Sequence, residues 1–336
     1  MSARVALSAL LLAAFAIPTL GPARDLTGGI ARARAGAWSL DRGEYYSEVQ
    51  ASSFTATSLY DVVGTRYAYP GPGKLQQLGL SWRNEIGWRK KLSLRFGLSG
   101  LSVAGFDGSP LSVVGFDGLP PSRPAQTGLS QIDLGLHYKI ANGDRAMAVE
   151  AGWSGPAGFD RQLSRALGDG RHEFSGRLNV GSTIGKKGFL ELFGGGSYRF
   201  HKLGSSDSKA NLDPRLTTNV YADFGGDLGF WFGRSLLLGG RYRGRALRST
   251  TGEGNYLNVH WVGPMQLRGD SQIGESVQLA GPVLVFRMDD RIDLIAGSYS
   301  TPMGRNTPHF DQFYVTLAFK QSKLKRNQGY LGGSAP

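Results

Sequence analysis

Residues 92–98 read LSLRFGL, and this stretch alternates strictly between apolar side chains and polar or small ones. The three leucines and Phe96 share one face, whereas Ser93, Arg95 and Gly97 share the other. A period of two residues is the period of a β-strand. The pattern recurs along the chain in segments long enough to cross a membrane as tilted strands. We place such strands at residues 43–57, 76–88, 92–103, 128–140, 146–154, 173–184, 189–200, 216–232, 236–245, 276–286, 292–300 and 312–320.

The connections between these segments alternate between short and long. Those after even-numbered strands are short and polar, such as 89–91 and 233–234, whereas those after odd-numbered strands are long, such as 104–127 and 246–275. Short turns at one end and long loops at the other are typical of outer-membrane barrels, which have an even number of strands. The sequence therefore predicts an all-β fold, a transmembrane antiparallel up-and-down β-barrel of about twelve strands, with both termini in the periplasm.

The outward face of the predicted strands is apolar. A basic side chain that faces lipid at the bilayer centre costs roughly 2–4 kcal/mol. On the face that we assign to lipid, none of the segments carries Asp, Glu, Lys or Arg. In the segment 276–286 this assignment places Val277, Leu279, Val283 and Val285 on the lipid side.

The ends of the chain lead to three further predictions. Residues 5–17 form an apolar run that is too short to span a bilayer and has the length of a signal-peptide core. We therefore expect a signal peptide over residues 1–23, with cleavage as late as residue 35 as the alternative, and a barrel domain over 36–320. The last strand ends on Phe319 and resembles the aromatic-ended signal by which barrels are recognised for assembly, which makes the barrel-assembly machinery an expected partner. The basic segment 321–336 is predicted to be a periplasmic tail.

Composition narrows the classes of function. The chain has 50 glycines, no cysteine and a net charge of +12. Glycine permits bends in a barrel wall but would destabilise helices. A basic chain can bind nucleic acid, but an exported chain would not meet it, so we expect outer-membrane lipid, lipopolysaccharide and an anionic or other small solute as partners. The sequence contains neither a phosphate-binding loop nor a His-Glu-x-x-His motif, and we expect no cofactor and no metal.

Polar residues that alternate with the lipid face should point into the lumen, and hairpin register predicts which of them meet. The predicted pairs are Asp227 with Arg241, Asp223 with Arg245, Glu85 with Arg95, and His137 with Glu150, while Arg243 faces Gly225. Further inward candidates are Arg83, Arg177 and Arg199. One interpretation is a network of opposite charges that fills and rigidifies a narrow lumen. The other is a basic track for anionic solutes, in which Arg241, Arg243 and Arg245 tune selectivity.

A tandem repeat lies in one predicted external loop. LSVAGFDGSP at residues 101–110 is followed at once by LSVVGFDGLP at 111–120. A duplication tolerated in a surface loop is the favoured interpretation. A calcium or ligand site made by Asp107 and Asp117 is the alternative, although two carboxylates supply few of the oxygen ligands that calcium needs.

Catalysis is the least favoured class of function. An outer-membrane hydrolase needs a serine nucleophile beside a histidine that a third group orients. None of the five histidines has a serine two positions on, and the strand facing His137 offers no obvious nucleophile. We therefore expect a protein that is not an enzyme and keep a barrel hydrolase as the third possibility.

Four stretches resemble a known family. They are GAWSLDRGEYYSE at 36–48, GLSQIDLGLHYKI at 128–140, LGDGRHEFSGRLNVGSTIGKKGFLELFGGGSYRF at 167–200 and GRNTPHFDQFYVTLAF at 304–319. Together they resemble the outer-membrane family described as transporters associated with the meta pathway of phenol degradation. The resemblance implies transport of small molecules, aromatic or apolar ones among them, across the outer membrane. The duplicated loop 101–120, the tail 321–336 and the segment 198–200, which lacks a second arginine, depart from the family pattern.

The sequence thus predicts a passive outer-membrane channel or uptake protein that works by diffusion. A closed structural or surface barrel, whose loops bind partners or lipopolysaccharide, is the alternative. A charge network that blocks the lumen would favour the closed barrel.

Overall fold

The computed structural model describes residues 37–38, 40–60, 63–68, 75–104, 126–157, 172–185, 187–202, 216–251, 259–262, 265–268, 276–305 and 307–321. These residues form twelve long strands and three short ones. The long strands are β1 (Tyr45–Tyr60), β3 (Leu75–Arg89), β4 (Leu92–Ala104), β5 (Gln126–Ala141), β6 (Arg145–Pro156), β7 (His172–Ile184), β8 (Gly188–Lys202), β9 (Leu216–Phe232), β10 (Leu236–Thr251), β13 (Ser276–Arg287), β14 (Ile292–Arg305) and β15 (Thr307–Gln321). The short strands are β2 (Arg66–Ala68), β11 (Val259–Val262) and β12 (Met265–Arg268).

The long strands form one antiparallel sheet that closes on itself. Each pairs with its neighbours in chain order, and the sheet closes because β15 pairs with β1 as well as with β14. The predicted fold, a closed twelve-stranded antiparallel barrel of the outer-membrane type, is confirmed. The described residues include no helix that is long and apolar enough to cross a membrane.

Turns at one end of the barrel are short, as the sequence predicts. They connect β3 to β4, β5 to β6, β7 to β8, β9 to β10 and β13 to β14. Gly143 and Gly233 lie in two of these turns with φ angles of 116° and 70°. Glycine reaches this left-handed region without the steric penalty that a Cβ atom brings.

One predicted long connection is wrong. The sequence pattern ends one strand at residue 300 and starts the next at 312, whereas β14 runs to Arg305 and β15 starts at Thr307. The extended hairpin continues the sheet beyond the predicted ends. Pro302, Gly304 and Pro308 interrupt the alternation in this region, which explains why the pattern does not show the strands there.

The assignment of faces is also wrong for β13. Val283 and Val285 are 5% and 4% exposed and point into the barrel, while Leu284 between them is 40% exposed. The strand register extends the same reversal to Val277 and Leu279, which lie opposite inward-facing arginines of β10. Both faces of β13 are apolar, so a period of two residues does not tell which face is inside.

Because β13 turns valines inward, the inner wall is not polar throughout. An apolar cluster lies within the barrel on strands β1, β9, β10 and β13 to β15. It comprises Tyr46, Trp231, Leu237, Val283, Val285, Ile295, Tyr314 and Ala318. The lumen therefore has an apolar side as well as a charged one.

Candidate functional site

A segment that precedes the first strand lies inside the barrel at the short-turn end. We call residues 37–38 and 40–43 the N-terminal strap. Ala37 and Trp38 are 0% and 7% exposed and pack against Ala146 and Phe189, both on the inner wall. Leu40 packs against the apolar cluster, which Phe189 also contacts. The strap thus lies against the inner wall from Ala146 and Phe189 to the apolar cluster and occupies part of this mouth.

Polar contacts hold both ends of the strap. At one end, the indole Nε1 of Trp38 donates to the carbonyl oxygen of Gly143 at 3.1 Å. In the middle, Lys139 Nζ donates to Asp41 Oδ1 at 2.6 Å. At the other end, the Gly43 amide donates to the Gly87 carbonyl oxygen at 2.6 Å. These bonds join the strap to β3, to β5 and to the turn after β5.

Gly181 provides the socket for Trp38. A Cβ atom at this position would overlap the indole ring of Trp38 and lie 2.9 Å from Ala37 Cβ. Only glycine lets the ring lie this close to the β7 backbone. The sequence pattern places these residues in the barrel domain, 36–320, and does not predict a strap. The signal that could have revealed it is the apolar pair Ala37–Trp38 ahead of the first strand.

We expect Gly181→Val to displace the strap from the lumen. Trypsin should then cleave after Arg42 in the folded, detergent-solubilised variant at least about tenfold faster than in wild type, because cleavage requires a locally mobile backbone. Gly194→Val is the matched control, since a Cβ atom at residue 194 meets nothing within 4 Å. Equal cleavage rates in the two variants would show that the Trp38 socket does not hold the strap.

Above the strap, the strands bring the predicted lumen residues together in the predicted register. The observed partners are Asp227 and Arg241, Asp223 and Arg245, Arg243 and Gly225, Glu85 and Arg95, and His137 and Glu150. Antiparallel pairing fixes these neighbours once the turns are known. The contacts beyond each hairpin are set by the barrel and are described next.

The first group of inward polar side chains, the Glu85 cluster, consists of Glu85, Ser93, Arg95, His137 and Glu150. Arg95 bridges two carboxylates, with Nε 2.9 Å from Glu85 Oε2 and Nη1 2.6 Å from Glu150 Oε1. The hydroxyl of Ser93 donates to Glu85, and His137 Nδ1 lies 3.2 Å from Glu85 Oε1. The serine is therefore bonded to the carboxylate, which differs from the serine–histidine pair of a hydrolase.

The second group, the Glu173 cluster, consists of Glu173, Arg199, Asp223 and Arg245. Arg245 Nη2 is 2.7 Å from Glu173 Oε1, and its Nε is 2.8 Å from Asp223 Oδ1. Arg199 Nε reaches the other oxygen of Glu173 at 2.8 Å. Glu173 on β7 thus contacts Arg245 on β10 along the inner wall, although these two strands are not neighbours in the sheet.

The third group, the Asp227 cluster, consists of Asp227, Arg241, Arg243 and Tyr314. Arg243 Nη1 is 2.7 Å from Asp227 Oδ1, and its Nη2 donates to Oδ2 at 2.9 Å. Arg241 donates to the Tyr314 hydroxyl at 2.6 Å, and its Nε lies 3.6 Å from Asp227 Oδ2. The three arginines predicted to tune selectivity are therefore all ion-paired with carboxylates.

Aromatic rings lie between the arginines of the inner wall. The guanidinium groups of Arg177 and Arg243 lie 5.3 and 5.0 Å from the Phe193 ring centroid. Those of Arg199 and Arg245 lie 5.2 and 5.0 Å from the Tyr221 ring. A desolvated cation–π contact contributes about 2 kcal/mol. The rings therefore help to hold these side chains against the wall.

The remaining candidates occupy different environments. Arg83 is inward and 60% exposed, and its Nη1 is 3.5 Å from Glu48 Oε1. Arg177 has no ion pair within 4 Å among the described residues. Asp107 and Asp117 lie outside the described residues. Within the described ranges, no group of three or more acidic or histidine side chains could hold a metal ion.

Comparison with known proteins bears on the fold. No protein-family model and no curated protein matches the sequence. An outer membrane channel from Pseudomonas putida F1 has a similar structure, with a TM-score of 0.64 and 12% identity over 89% of this chain and 100% of that one. The translocator domain of the autotransporter NalP from Neisseria meningitidis gives a TM-score of 0.44 and 10% identity, covering 94% and 95% of the two chains. The first likeness supports a shared barrel fold.

Proposed function

We propose that this protein is an outer-membrane channel or uptake protein that passes small solutes by passive diffusion. The observation that carries the proposal is a closed barrel with an apolar outer face and clusters of charged side chains on its inner wall. Such a barrel is stable in a bilayer and offers solutes a polar path. The structurally similar channel from Pseudomonas putida F1 supports the same class of function. The resemblance to transporters associated with phenol degradation adds aromatic and apolar molecules as candidate solutes.

The membrane context is part of the proposal. Short turns and both termini would face the periplasm, and long loops would face outward, where basic residues can contact lipopolysaccharide. The barrel-assembly machinery would recognise the last strand, which carries Phe319 near its end. The leading segment would be removed as a signal peptide.

A planar-bilayer recording with the purified protein under a salt gradient tests the channel proposal. We expect discrete current steps, because charged side chains on the inner wall keep a narrow lumen hydrated. A barrel that migrates as folded protein on a gel and gives no current contradicts the proposal.

A closed structural barrel is the second candidate. The strap in the short-turn mouth and the ion pairs of the three clusters favour it, since both reduce the open cross-section. A twelve-stranded barrel is intermediate in width between barrels filled by side chains and barrels with a wide aqueous channel. The bilayer experiment separates the two candidates directly.

We expect the triple variant Arg241→Gln/Arg243→Gln/Arg245→Gln to shift the reversal potential toward cation preference. The substitutions leave the carboxylates of Glu173 and Asp227 in the lumen without these arginine partners. A ring of excess negative charge attracts cations. Arg234→Gln removes the same kind of charge from an exposed turn and serves as the control. An unchanged reversal potential would identify the three arginines as scaffold.

A further inference from the structure

Two polar side chains on the inward face of β7 lack hydrogen-bond partners. Arg177 Nε is buried without an acceptor, and so is Nδ2 of Asn179, a side chain that is only 4% exposed. Within the described part of the chain, neither side chain makes a hydrogen bond or an ion pair. A buried donor left unsatisfied costs about 1–3 kcal/mol, so two of them side by side require an explanation.

The carboxylates near Arg177 have other partners. Glu150 and Asp223 interact with its charge, but Glu150 lies 2.6 Å from Arg95 and Asp223 lies 2.8 Å from Arg245. By contrast, Arg243 and Arg245 are both bonded to carboxylate oxygens. Arg177 therefore differs from these arginines of the inner wall in having charge and donors still available for an external anion.

The two donors lie between aromatic side chains. The centroid of the Phe193 ring is 5.3 Å from the Arg177 guanidinium. Gly181 is the next inward position of β7 after Asn179, and Trp38 of the strap lies against it. A small molecule bound to Arg177 and Asn179 would thus have an indole on one side and a phenyl ring on the other.

We propose that Arg177 and Asn179 bind the carboxylate of a small aromatic monoacid in the lumen. The proposal rests on the proposed channel function and names its substrate class. A guanidinium donates two parallel hydrogen bonds to a carboxylate, and the amide of Asn179 adds a third donor. The ring of the solute would pack on Trp38 or Phe193. Because Glu150 and Asp223 each have another arginine partner, the one guanidinium of Arg177 is left to match a single carboxylate.

Isothermal titration calorimetry of the folded full chain in detergent, with benzoate as the probe, tests this site. We expect saturable binding to wild type that weakens at least about tenfold in Arg177→Gln, as expected when a charge-assisted hydrogen bond is lost. Asn179→Ala should weaken binding less, and Arg234→Gln should leave it unchanged. Benzyl alcohol, a neutral molecule of similar size, should bind equally weakly to wild type and to all variants.

Arg177→Gln should fold, because Arg177 has no ion pair to break. Equal benzoate affinity in wild type and folded Arg177→Gln would overturn the proposal, as would a folded wild type that binds no benzoate. Current steps in the planar bilayer together with either of these results would leave the channel function standing and remove only the monoacid site. If wild type binds benzoate, Arg177→Gln loses the binding and wild type gives no current, the result would support the site and contradict the channel function.

Discussion

Deletion of residues 37–42 is expected to raise the single-channel conductance roughly threefold, because the strap occupies part of a lumen only twelve strands in circumference. In the intact protein, Trp38 and Leu40 pack against the inner wall, and Asp41 is bonded to Lys139. Removing this segment widens the cross-section at the short-turn mouth while leaving Gly43 and the wall unchanged. Planar-bilayer recording at fixed salt concentration gives the conductance directly.

A deletion of equal length upstream, residues 30–35, is the control for shortening the N-terminus. Both variants should retain the gel migration of a folded barrel, since the strap contributes no strand to the sheet. A folded strap deletion with wild-type conductance would mean that the narrowest part of the lumen lies elsewhere. That result would direct attention to the charged clusters above the strap.

Arg95→Ala is expected to lower the free energy of unfolding by about 3–5 kcal/mol, because removing one partner of a buried ion pair leaves an uncompensated charge. Arg95 is the cation between Glu85 and Glu150, and Glu85 is 2% exposed. Without it, Glu85 and His137 remain buried beside the half-buried Glu150. Urea titration of refolding into lipid vesicles, followed by gel migration, measures the change.

Arg83→Ala is the matched control, since this inward arginine is 60% exposed and lies 3.5 Å from its carboxylate partner. Its loss should cost less than about 1 kcal/mol, as for exposed ion pairs. The combined variant Glu85→Gln/Arg95→Met/Glu150→Gln should recover most of the lost stability, because no buried charge is then left unpaired. Equal costs for Arg95→Ala and Arg83→Ala would show that the Glu85 cluster is not a buried charge network.

The sequence predicted pairing across hairpins well and pairing across the barrel poorly. Asp227 meets Arg241, and Asp223 meets Arg245, because each short turn fixes the register of its two strands. The contact between Glu173 on β7 and Arg245 on β10 was not predicted. This contact depends on the tilt of the strands, which brings inward side chains of non-neighbouring strands to the same level along the barrel axis.

The difference between local pattern and contacts with other strands also explains the reversed face of β13. Where only one face is apolar, alternation identifies the inside, as in residues 92–98. Where both faces are apolar, as in β13, the inside is decided by the register with β10, whose arginines turn inward. Packing of Val283 and Val285 against Trp231 and Leu237 then stabilises that choice.

By itself, the sequence determined the fold class, the number of membrane strands and the hairpin partners, because these follow from alternation and turn length. Only the tertiary structure decided that Arg241, Arg243 and Arg245 are ion-paired while Arg177, another predicted lumen arginine, makes no ion pair with the described residues. It alone revealed the strap, whose Trp38 fits against Gly181 although the two are far apart in sequence. Such contacts depend on closure of the sheet, which brings distant side chains into one lumen.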